Sequence, residues 1–184
     1  MQSIYDLNMK MAMDMLAEKG QKSYRAKQLF QWLYRKRVGS FQEMTDMPAS
    51  LLEELAQEYS IEPVKEITRQ VARDGTTKYL FQLADGSSVE TVLMHFHFGE
   101  SLCVTSQLGC NMGCTFCASG LLKKQRDLTA GEIVGQVMFV QKELDKIGKR
   151  VDNVVIMGTG EPFDNYDNVM RFCEIINSDL GLAI

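Results

Sequence analysis

Apolar residues recur at helical spacing through the first third of the chain. The pattern predicts three helices: one over residues 8–19, which Gly20 can end, one from a Ser23 cap to about Arg37, and a third beginning at Pro48. Their apolar faces consist of Met9, Ala12, Met13, Leu16 and Ala17; of Ala26, Leu29, Phe30 and Leu33; and of Leu51, Leu52, Leu55 and Tyr59. We therefore expect residues 1–60 to form a small helical accessory domain.

The pattern then changes to short extended runs. VKEITRQVA, TTKYLFQL and SSVETVLM are separated by Asp74-Gly75 and Asp85-Gly86, dipeptides that are typical of tight hairpin turns. This pattern predicts a three-stranded β-meander over residues 61–95, linking the helical domain to the rest of the chain.

From about residue 96 predicted strands alternate with predicted helices. SLCVTSQ and VDNVVIMG predict two buried strands, and each precedes a helix: Thr129 to Lys146, with Thr129 and Glu132 spaced as a capping box, and Tyr166 to Asn177. The alternation favours an α/β fold with a parallel sheet, preceded by a more α+β-like N-terminal part. Residues 96–184 supply about two strand–helix units, whereas a closed barrel takes roughly 200 residues or more. We therefore expect a truncated partial barrel, the front part of a longer protein.

Charge is distributed unevenly along the chain. The net charge is −4, yet seven cations and no carboxylates lie between Lys19 and Arg37, interleaved with Tyr24, Phe30, Trp32 and Tyr34. Such a patch is typical of a surface that binds RNA, with cations on phosphates and aromatic rings stacked on bases. The alternative is an amphipathic helix with a solvated basic face, and we expect Phe30 and Leu33 to be core residues in either case.

Three of the five cysteines lie within eight residues, as Cys110, Cys114 and Cys117 in a C-x3-C-x2-C pattern. The sequence shows neither a signal peptide nor an apolar run long enough to cross a membrane, so we expect a cytoplasmic protein with reduced thiols. Three soft thiolates suit a [4Fe–4S] cluster that keeps one iron open. The alternative is a zinc site completed by a distant fourth ligand, because neither His95 nor His97 has the spacing of a zinc knuckle.

A second motif, MGTGEP at residues 157–162, follows the second predicted strand. Gly158 and Gly160 permit a tight turn there, and Glu161 can accept a hydrogen bond from an ammonium group. Together with the cysteine pattern, this motif resembles the radical S-adenosylmethionine (SAM) superfamily.

Longer sequence segments, distributed along essentially the whole chain, resemble the RlmN/Cfr class of RNA methyltransferases, and most closely its RlmN branch. They are SYRAKQLFQWLYRKRVGSFQEMTDMPASL, GSSVETVLM, SLCVTSQLGCNMGCTFCASG, LTAGEIVGQV and NVVIMGTGEPFDNYDNV. The resemblance implies that Cys110, Cys114 and Cys117 ligate the cluster and that Gly160 and Glu161 bind SAM. It also implies that Glu90 is a general acid/base and that Cys103 resolves a covalent RNA adduct. The alternatives from the residues alone are a solvated strand glutamate and a packed strand cysteine.

The implied reaction is methylation of adenine C2 in 23S rRNA and tRNA through a methyl-cysteine relay, with electrons from a flavodoxin- or ferredoxin-type protein. We expect a monomer whose methyl-carrying cysteine lies beyond residue 184, so that the 184 residues alone would be inactive, and we interpret Cys173 as a core residue. The cations expected to contact RNA are Lys22, Arg25, Lys27, Arg35, Lys36 and Arg37. Lys123, Lys124 and Arg126 are further candidates. The alternative functions are a Cfr-type adenine C8 methyltransferase and a non-enzymatic iron–sulfur or zinc module that binds RNA.

Overall fold

The structure, a computed structural model, describes all residues from Met1 to Ile184. The N-terminal part contains strand β1 (Gln2–Ser3), a 3₁₀ turn and helices α1 (Met9–Glu18), α2 (Tyr24–Phe30) and α3 (Ala49–Glu58), followed by strand β2 (Tyr59–Ser60), which pairs in parallel with β1. Asn8 caps α1 by accepting a hydrogen bond from the Met11 amide. The three helices predicted from the apolar pattern are confirmed.

The second helix differs from the prediction in two details. Ser23 makes no capping hydrogen bond, and after Phe30 the helix continues as a π-helical segment, Gln31–Lys36. In this segment the three consecutive side chains from Trp32 to Tyr34 are buried. In a regular α-helix of 3.6 residues per turn, three consecutive side chains would not all lie on one face of the helix. The segment ends at Arg37, whose backbone is left-handed with φ of 53°.

A five-stranded mixed sheet forms the centre of the molecule. It contains β3 (Val64–Val71), β4 (Thr77–Leu83), β5 (Ser88–Phe96), β6 (Gly99–Cys103) and, after two short strands, β9 (Val151–Val155), in the order β3-β4-β5-β6-β9. Strands β3 to β6 pair antiparallel through hairpins, whereas β6 and β9 are parallel. The predicted meander therefore shares one sheet with the first strands of the α/β part, and the domain boundaries at residues 60 and 95 stay a prediction.

The short strands β7 (Gln107–Leu108) and β8 (Arg126–Asp127) pair with each other on either side of the cysteine loop. Helix α4 (Ala130–Asp145) follows, with the predicted capping box intact because the Thr129 hydroxyl and the Glu132 side chain exchange hydrogen bonds with each other's backbone amides. Helix α5 (Tyr166–Asn177) has the predicted bounds and packs against α4. The mixed α/β fold class is confirmed.

One prediction about burial is wrong in part. Strand β9 pairs only with β6 and forms an edge of the sheet, so Asp152 and Asn153 are exposed and only Val151 is fully buried. No helix is both long and apolar enough to span a bilayer.

The helical part and the sheet share a continuous apolar core that extends from Ile4 to Leu182. One junction between them is the start of α4, where the Gly131 amide donates a hydrogen bond of 2.6 Å to Asp6 Oδ1. A Cβ atom on Gly131 would lie 2.8 Å from the Asp6 amide nitrogen and from Ser3 Cβ, so glycine permits this close contact. The contact fixes α4, which packs on the sheet, against the N-terminal part.

Candidate active site

The cysteine loop and the glycine-rich turn emerge at the same edge of the sheet, because β6 and β9 are parallel neighbours and each loop follows the carboxyl end of its strand. Backbone hydrogen bonds then join the two segments. The Gly158 amide donates to the Val104 carbonyl at 3.1 Å, and the Ser106 and Gln107 amides donate to the Thr159 carbonyl at 3.2 and 3.1 Å. The two motifs singled out in the sequence therefore meet in space.

The glycine-rich turn requires glycine at both positions. A Cβ atom on Gly158 would lie 2.6 Å from Thr105 Oγ1, and one on Gly160, where φ is 111°, would lie 2.6 Å from Gln107 Cβ. The half-buried Glu161 accepts a hydrogen bond of 3.0 Å from the Phe163 amide through Oε1 and thereby caps a short 3₁₀ helix, Pro162–Asn165. This leaves Glu161 Oε2 available to a ligand.

The cysteine loop projects from the β7–β8 pair. Its base is fixed by Gly109, where φ is 76° and a Cβ atom would lie 2.2 Å from the Lys123 carbonyl oxygen, and by a 2.8 Å hydrogen bond from the Cys110 amide to the Leu122 carbonyl. All three thiols are free; Cys110 is half-buried, whereas Cys114 and Cys117 are exposed.

This donor set fits the predicted cluster by its chemistry, because three thiols on one loop can supply the soft ligands that iron–sulfur clusters require. Hydrogen bonds from the Ser119 side chain and backbone lower the pKa of Cys117 and thus favour the thiolate that binds iron. No three His, Cys, Asp or Glu side chains lie close enough together to share a metal ion. The structure therefore places the three thiols on one exposed loop without drawing them together.

A cavity of about 500 Å³ lies between these loops and the start of β5. Its walls include Glu90, Thr105, Gly109 and Thr159, which come from three segments of the chain. The Glu90 side chain is 55% exposed and its Oε1 lies 3.0 Å from Lys78 Nζ on the neighbouring strand. Glu90 is therefore both an ion-paired strand residue and a wall of the cavity.

Cys103 ends β6 on the same face of the sheet as Glu90. Its Cα pairs with that of Val92, and residues two apart on a strand point to the same face. The thiol is half-buried, and burial raises its pKa. Cys173, interpreted from the sequence as a core residue, is half-buried on α5, packs against the apolar core, and has its pKa raised for the same reason.

The basic stretch lies on the helical part and lines no part of this cavity. Lys22, Lys27, Arg35 and Lys36 are exposed, whereas Arg25 and Arg37 are half-buried. Arg25 donates to the Asp46 carbonyl at 2.7 Å, Arg37 Nη2 donates to Asp145 Oδ1 at 2.8 Å, and Lys36 Nζ lies 3.2 Å from the centre of the Trp32 ring. Arg35 Nη2 also donates to the Asp179 carbonyl, so four of the six cations make contacts within the chain.

The prediction that aromatic residues of this stretch stack on RNA bases is wrong for Trp32 and Tyr34, whereas Phe30 is buried as expected. Phe30, Trp32 and Tyr34 are buried, and Trp32 is further held by a hydrogen bond to Asp46, so only Tyr24 stays exposed. Two of the three cations after the cysteine loop are also engaged internally, whereas Lys123 is exposed. Lys124 pairs with Asp127 and Asp164, and Arg126 pairs with Asp85 and Glu132.

Sequence reasoning missed three buried amides that support the site. Gln136 on α4 bridges β5 and the end of β6, Gln107 contacts the glycine-rich turn, and Asn165 donates to the Ser106 and Leu128 carbonyls at 2.9 and 2.8 Å. Gln136 could have been recognised from the sequence, because it is a polar residue on the apolar face of a predicted helix. Such a residue needs buried partners.

Comparisons with known proteins match both parts of the chain. Residues 2–61 match the family model described as "Ribosomal RNA large subunit methyltransferase N-terminal domain", and residues 104–184 match the "Radical SAM superfamily". The chain is 56% identical, over 99% of its length, to a probable dual-specificity RNA methyltransferase RlmN of Streptococcus suis, of which it covers 50%. It is also 56% identical to a protein of the same name from Enterococcus faecalis, over its whole length and 52% of that protein.

The fold matches a solved structure over the whole chain. A radical SAM methyltransferase from Sphaerobacter thermophilus superimposes with a TM-score of 0.93 at 37% sequence identity, covering 100% of this chain and 54% of the other. The chain thus spans about half the length of the relatives it matches. On these matches and on the two motifs that meet at one edge of the sheet, the chain belongs to the RlmN family of the radical SAM superfamily.

Proposed function

We propose that the protein, at the length of its relatives, is a radical SAM methyltransferase that methylates C2 of an adenine in 23S rRNA and in tRNA through a methyl-cysteine relay. The observation that carries the proposal is the cavity of about 500 Å³ whose walls are Glu90, the base of the cysteine loop and the glycine-rich turn. The names of the relatives, dual-specificity RNA methyltransferases, support RNA as the substrate class.

Members of the superfamily use a [4Fe–4S] cluster and SAM, which together supply a carbon radical able to abstract hydrogen from a methyl group. In this chain Cys110, Cys114 and Cys117 would bind the cluster as thiolates. Glu161 would accept hydrogen bonds from the amino group of SAM through the oxygen that does not cap the 3₁₀ helix. Gly160 would support the SAM site by letting the turn pack directly against Gln107, whose Cβ would lie 2.6 Å from a Cβ atom at this position.

Glu90 and Cys103 would act on the RNA. The Glu90 carboxylate lies at the cavity wall, where its ion pair with Lys78 holds it in position to accept and return a proton of the target adenine. Cys103 lies on the same face of the sheet, where its thiol would assist release of a covalent RNA adduct.

The remaining assignments concern partners. Four exposed cations, Lys22, Lys27, Arg35 and Lys36, would contact phosphates, and Arg25 and Arg37 would support them at the edge of that surface. The reducing electron would come from a flavodoxin- or ferredoxin-type protein in the cytoplasm, where the protein would act as a monomer.

Anaerobic iron–sulfur reconstitution of this chain, followed by EPR of the reduced cluster with and without SAM, tests the cofactor site. We expect a [4Fe–4S] signal that changes when SAM is added, that is lost in Cys114→Ala, and that persists in the control Cys173→Ala. Stoichiometric zinc bound to folded protein, with no cluster, would instead favour the non-enzymatic module.

The reaction itself is tested with a protein of full family length, SAM, a reductant, and either a 23S rRNA fragment or tRNA. Mass spectrometry of the digested RNA should show 2-methyladenosine, whereas 8-methyladenosine would assign the protein to the Cfr type. We expect Glu90→Gln to lower the rate by about 10²- to 10⁴-fold, the range for loss of a general acid/base, and the exposed control Glu53→Gln to leave it unchanged. A wild-type rate in Glu90→Gln would exclude Glu90 from proton transfer.

A further inference from the structure

Gln107 connects the two loops that carry the candidate cofactor site. Its side chain is 1% exposed, and both ends of its amide are used. Oε1 accepts a hydrogen bond of 2.8 Å from the Glu161 amide in the glycine-rich turn, while Nε2 donates one of 2.7 Å to Asp127 Oδ1 on β8, directly after the cysteine loop. A single buried side chain therefore sets the position of one loop relative to the other.

The bridge extends into a closed ring of contacts. Lys124 Nζ lies 2.9 Å from Asp127 Oδ1 and 3.2 Å from Asp164 Oδ2, and Asp164 follows Glu161 in the short 3₁₀ helix. Hydrogen bonds to these two carboxylates raise the pKa of Lys124, so the ammonium that closes the ring is retained. The turn at Glu161 is thus held to the base of the cysteine loop on two sides.

Gln107 also supports the turn by its shape. Its Cβ, Cγ and Oε1 would lie 2.6 to 2.8 Å from a Cβ atom on Gly160, so the side chain forms the surface against which the turn packs. An amide of this length offers an acceptor to the Glu161 N–H and a donor to the Asp127 carboxylate at the same time, at any pH. This combination accounts for glutamine, as opposed to an apolar residue, at a buried strand position.

We propose that Gln107 is a positioning residue for SAM, fixing the backbone at Glu161 relative to the cysteine loop. The inference rests on the proposed function of the two loops. Loss of both hydrogen bonds should weaken SAM binding by about 10- to 100-fold, because each buried hydrogen bond of this kind corresponds to roughly a tenfold change in an equilibrium constant. The cluster should still form, because Gln107 is not a ligand and the three thiols are unaltered.

Three variants separate the roles of the amide. Gln107→Met keeps the length of the side chain and removes both hydrogen bonds. Gln107→Glu keeps the acceptor for the Glu161 amide but places a second carboxylate beside Asp127, and Gln107→Glu/Asp127→Asn restores a donor–acceptor pair with its direction reversed. Gln42→Met, at an exposed position of the N-terminal part, is the matched control.

The first measurement is hydrogen–deuterium exchange of the cofactor-free chain, read at residues 158–163. The next two, on the reconstituted chain, are iron content and the SAM concentration that produces the half-maximal EPR change. We expect Gln107→Met to exchange faster in this segment and to need 10- to 100-fold more SAM at unchanged iron content. The double variant should recover most of the affinity that Gln107→Glu loses.

Unchanged exchange and unchanged SAM response in Gln107→Met, in a wild-type background that responds to SAM, would overturn the inference and leave the proposed function in place. Parallel losses of iron and of SAM response would also overturn it, since they would show a general structural role. A wild-type chain that binds the cluster and does not respond to SAM would overturn the proposed cofactor role of the turn, and with it the role of Gln107.

Discussion

Replacing Gln136 by methionine tests whether the buried amides hold the site together. Gln136 is fully buried on α4; its Oε1 accepts from Thr91 Oγ1 at 2.8 Å and from the Thr105 amide at 2.9 Å, and its Nε2 donates to the Thr105 carbonyl at 2.9 Å. Methionine has a similar length and volume, so the packing of the helix on the sheet should be nearly preserved. The substitution therefore isolates the hydrogen bonds.

The expected loss of stability can be worked out from the buried groups that lose their hydrogen-bond partner in Gln136→Met. Three buried groups, the Thr91 hydroxyl and the amide and carbonyl of Thr105, are left unpaired, and each costs about 1–2 kcal/mol. We expect Gln136→Met to lower the free energy of unfolding by about 3–6 kcal/mol, which for a chain of this size corresponds to a Tm lower by about 10 °C or more. The substitution should also loosen the cavity wall at Glu90, because Thr105 Oγ1 donates a hydrogen bond of 2.7 Å to the Glu90 carbonyl.

Urea denaturation of the cofactor-free chain, followed by far-ultraviolet circular dichroism, measures this change. Thr91→Val is the matched control: it has the same shape and deletes one hydroxyl, while the Thr105 amide keeps its acceptor, so its cost should be about 1 kcal/mol. An unfolding free energy for Gln136→Met within about 1 kcal/mol of wild type would refute the reasoning, since it would show that these groups find other partners at little cost.

Three further predictions concern other parts of the molecule. Gly131→Ala should lower the free energy of unfolding by about 1–3 kcal/mol despite the higher helix propensity of alanine, because its Cβ would lie 2.8 Å from the Asp6 amide nitrogen; urea denaturation measures this. Hydrogen bonds from the Ser87 side chain and backbone, with a smaller contribution from Arg126, lower the pKa of Asp85 from 3.8 to about 2. The ionised carboxylate therefore stabilises the fold above about pH 4, and this contribution is lost as the pH falls towards 2, so Asp85→Asn should show a shallower loss of stability over that range. Lys27→Gln should weaken RNA binding and lower the slope of log K for RNA binding against log salt concentration by about one. Arg37→Gln should mainly lower the free energy of unfolding, because Arg37 is paired with Asp145.

Each of these predictions has a control and a contradicting result. Gly39→Ala should be tolerated, because its Cβ would meet only Glu43 Oε1 at 3.6 Å; equal costs at the two glycines would refute the steric argument. Equal acid sensitivity of wild type and Asp85→Asn would mean that this carboxylate is not linked to folding. Lys10→Gln, at an exposed cation on α1 outside the basic stretch, should leave RNA binding unchanged. A salt dependence that is the same in Lys27→Gln and wild type would exclude Lys27 from phosphate contact.

Much of the architecture could be predicted from the sequence because the decisive interactions are local. The capping box at Thr129 and Glu132 spans three residues, and the turns at Gly75 and Gly86 need only a residue that accepts a positive φ. The cysteine loop and the glycine-rich turn were recognisable as motifs for the same reason, since each consists of neighbouring residues.

Only the tertiary structure decided which residues meet. Gln107 reaches Glu161 across 54 positions of sequence, and Gln136 reaches Thr105 across 31, distances at which no periodic pattern specifies a partner. The same limit explains the basic stretch: its composition suggests stacking aromatic rings, but the π-helical segment and Asp46 turn Trp32 into the core. The sequence by itself determined the chemistry of the two loops and most element bounds. The parallel pairing of β6 and β9 decided that those loops form one site, because only sheet register brings the ends of distant strands to the same edge.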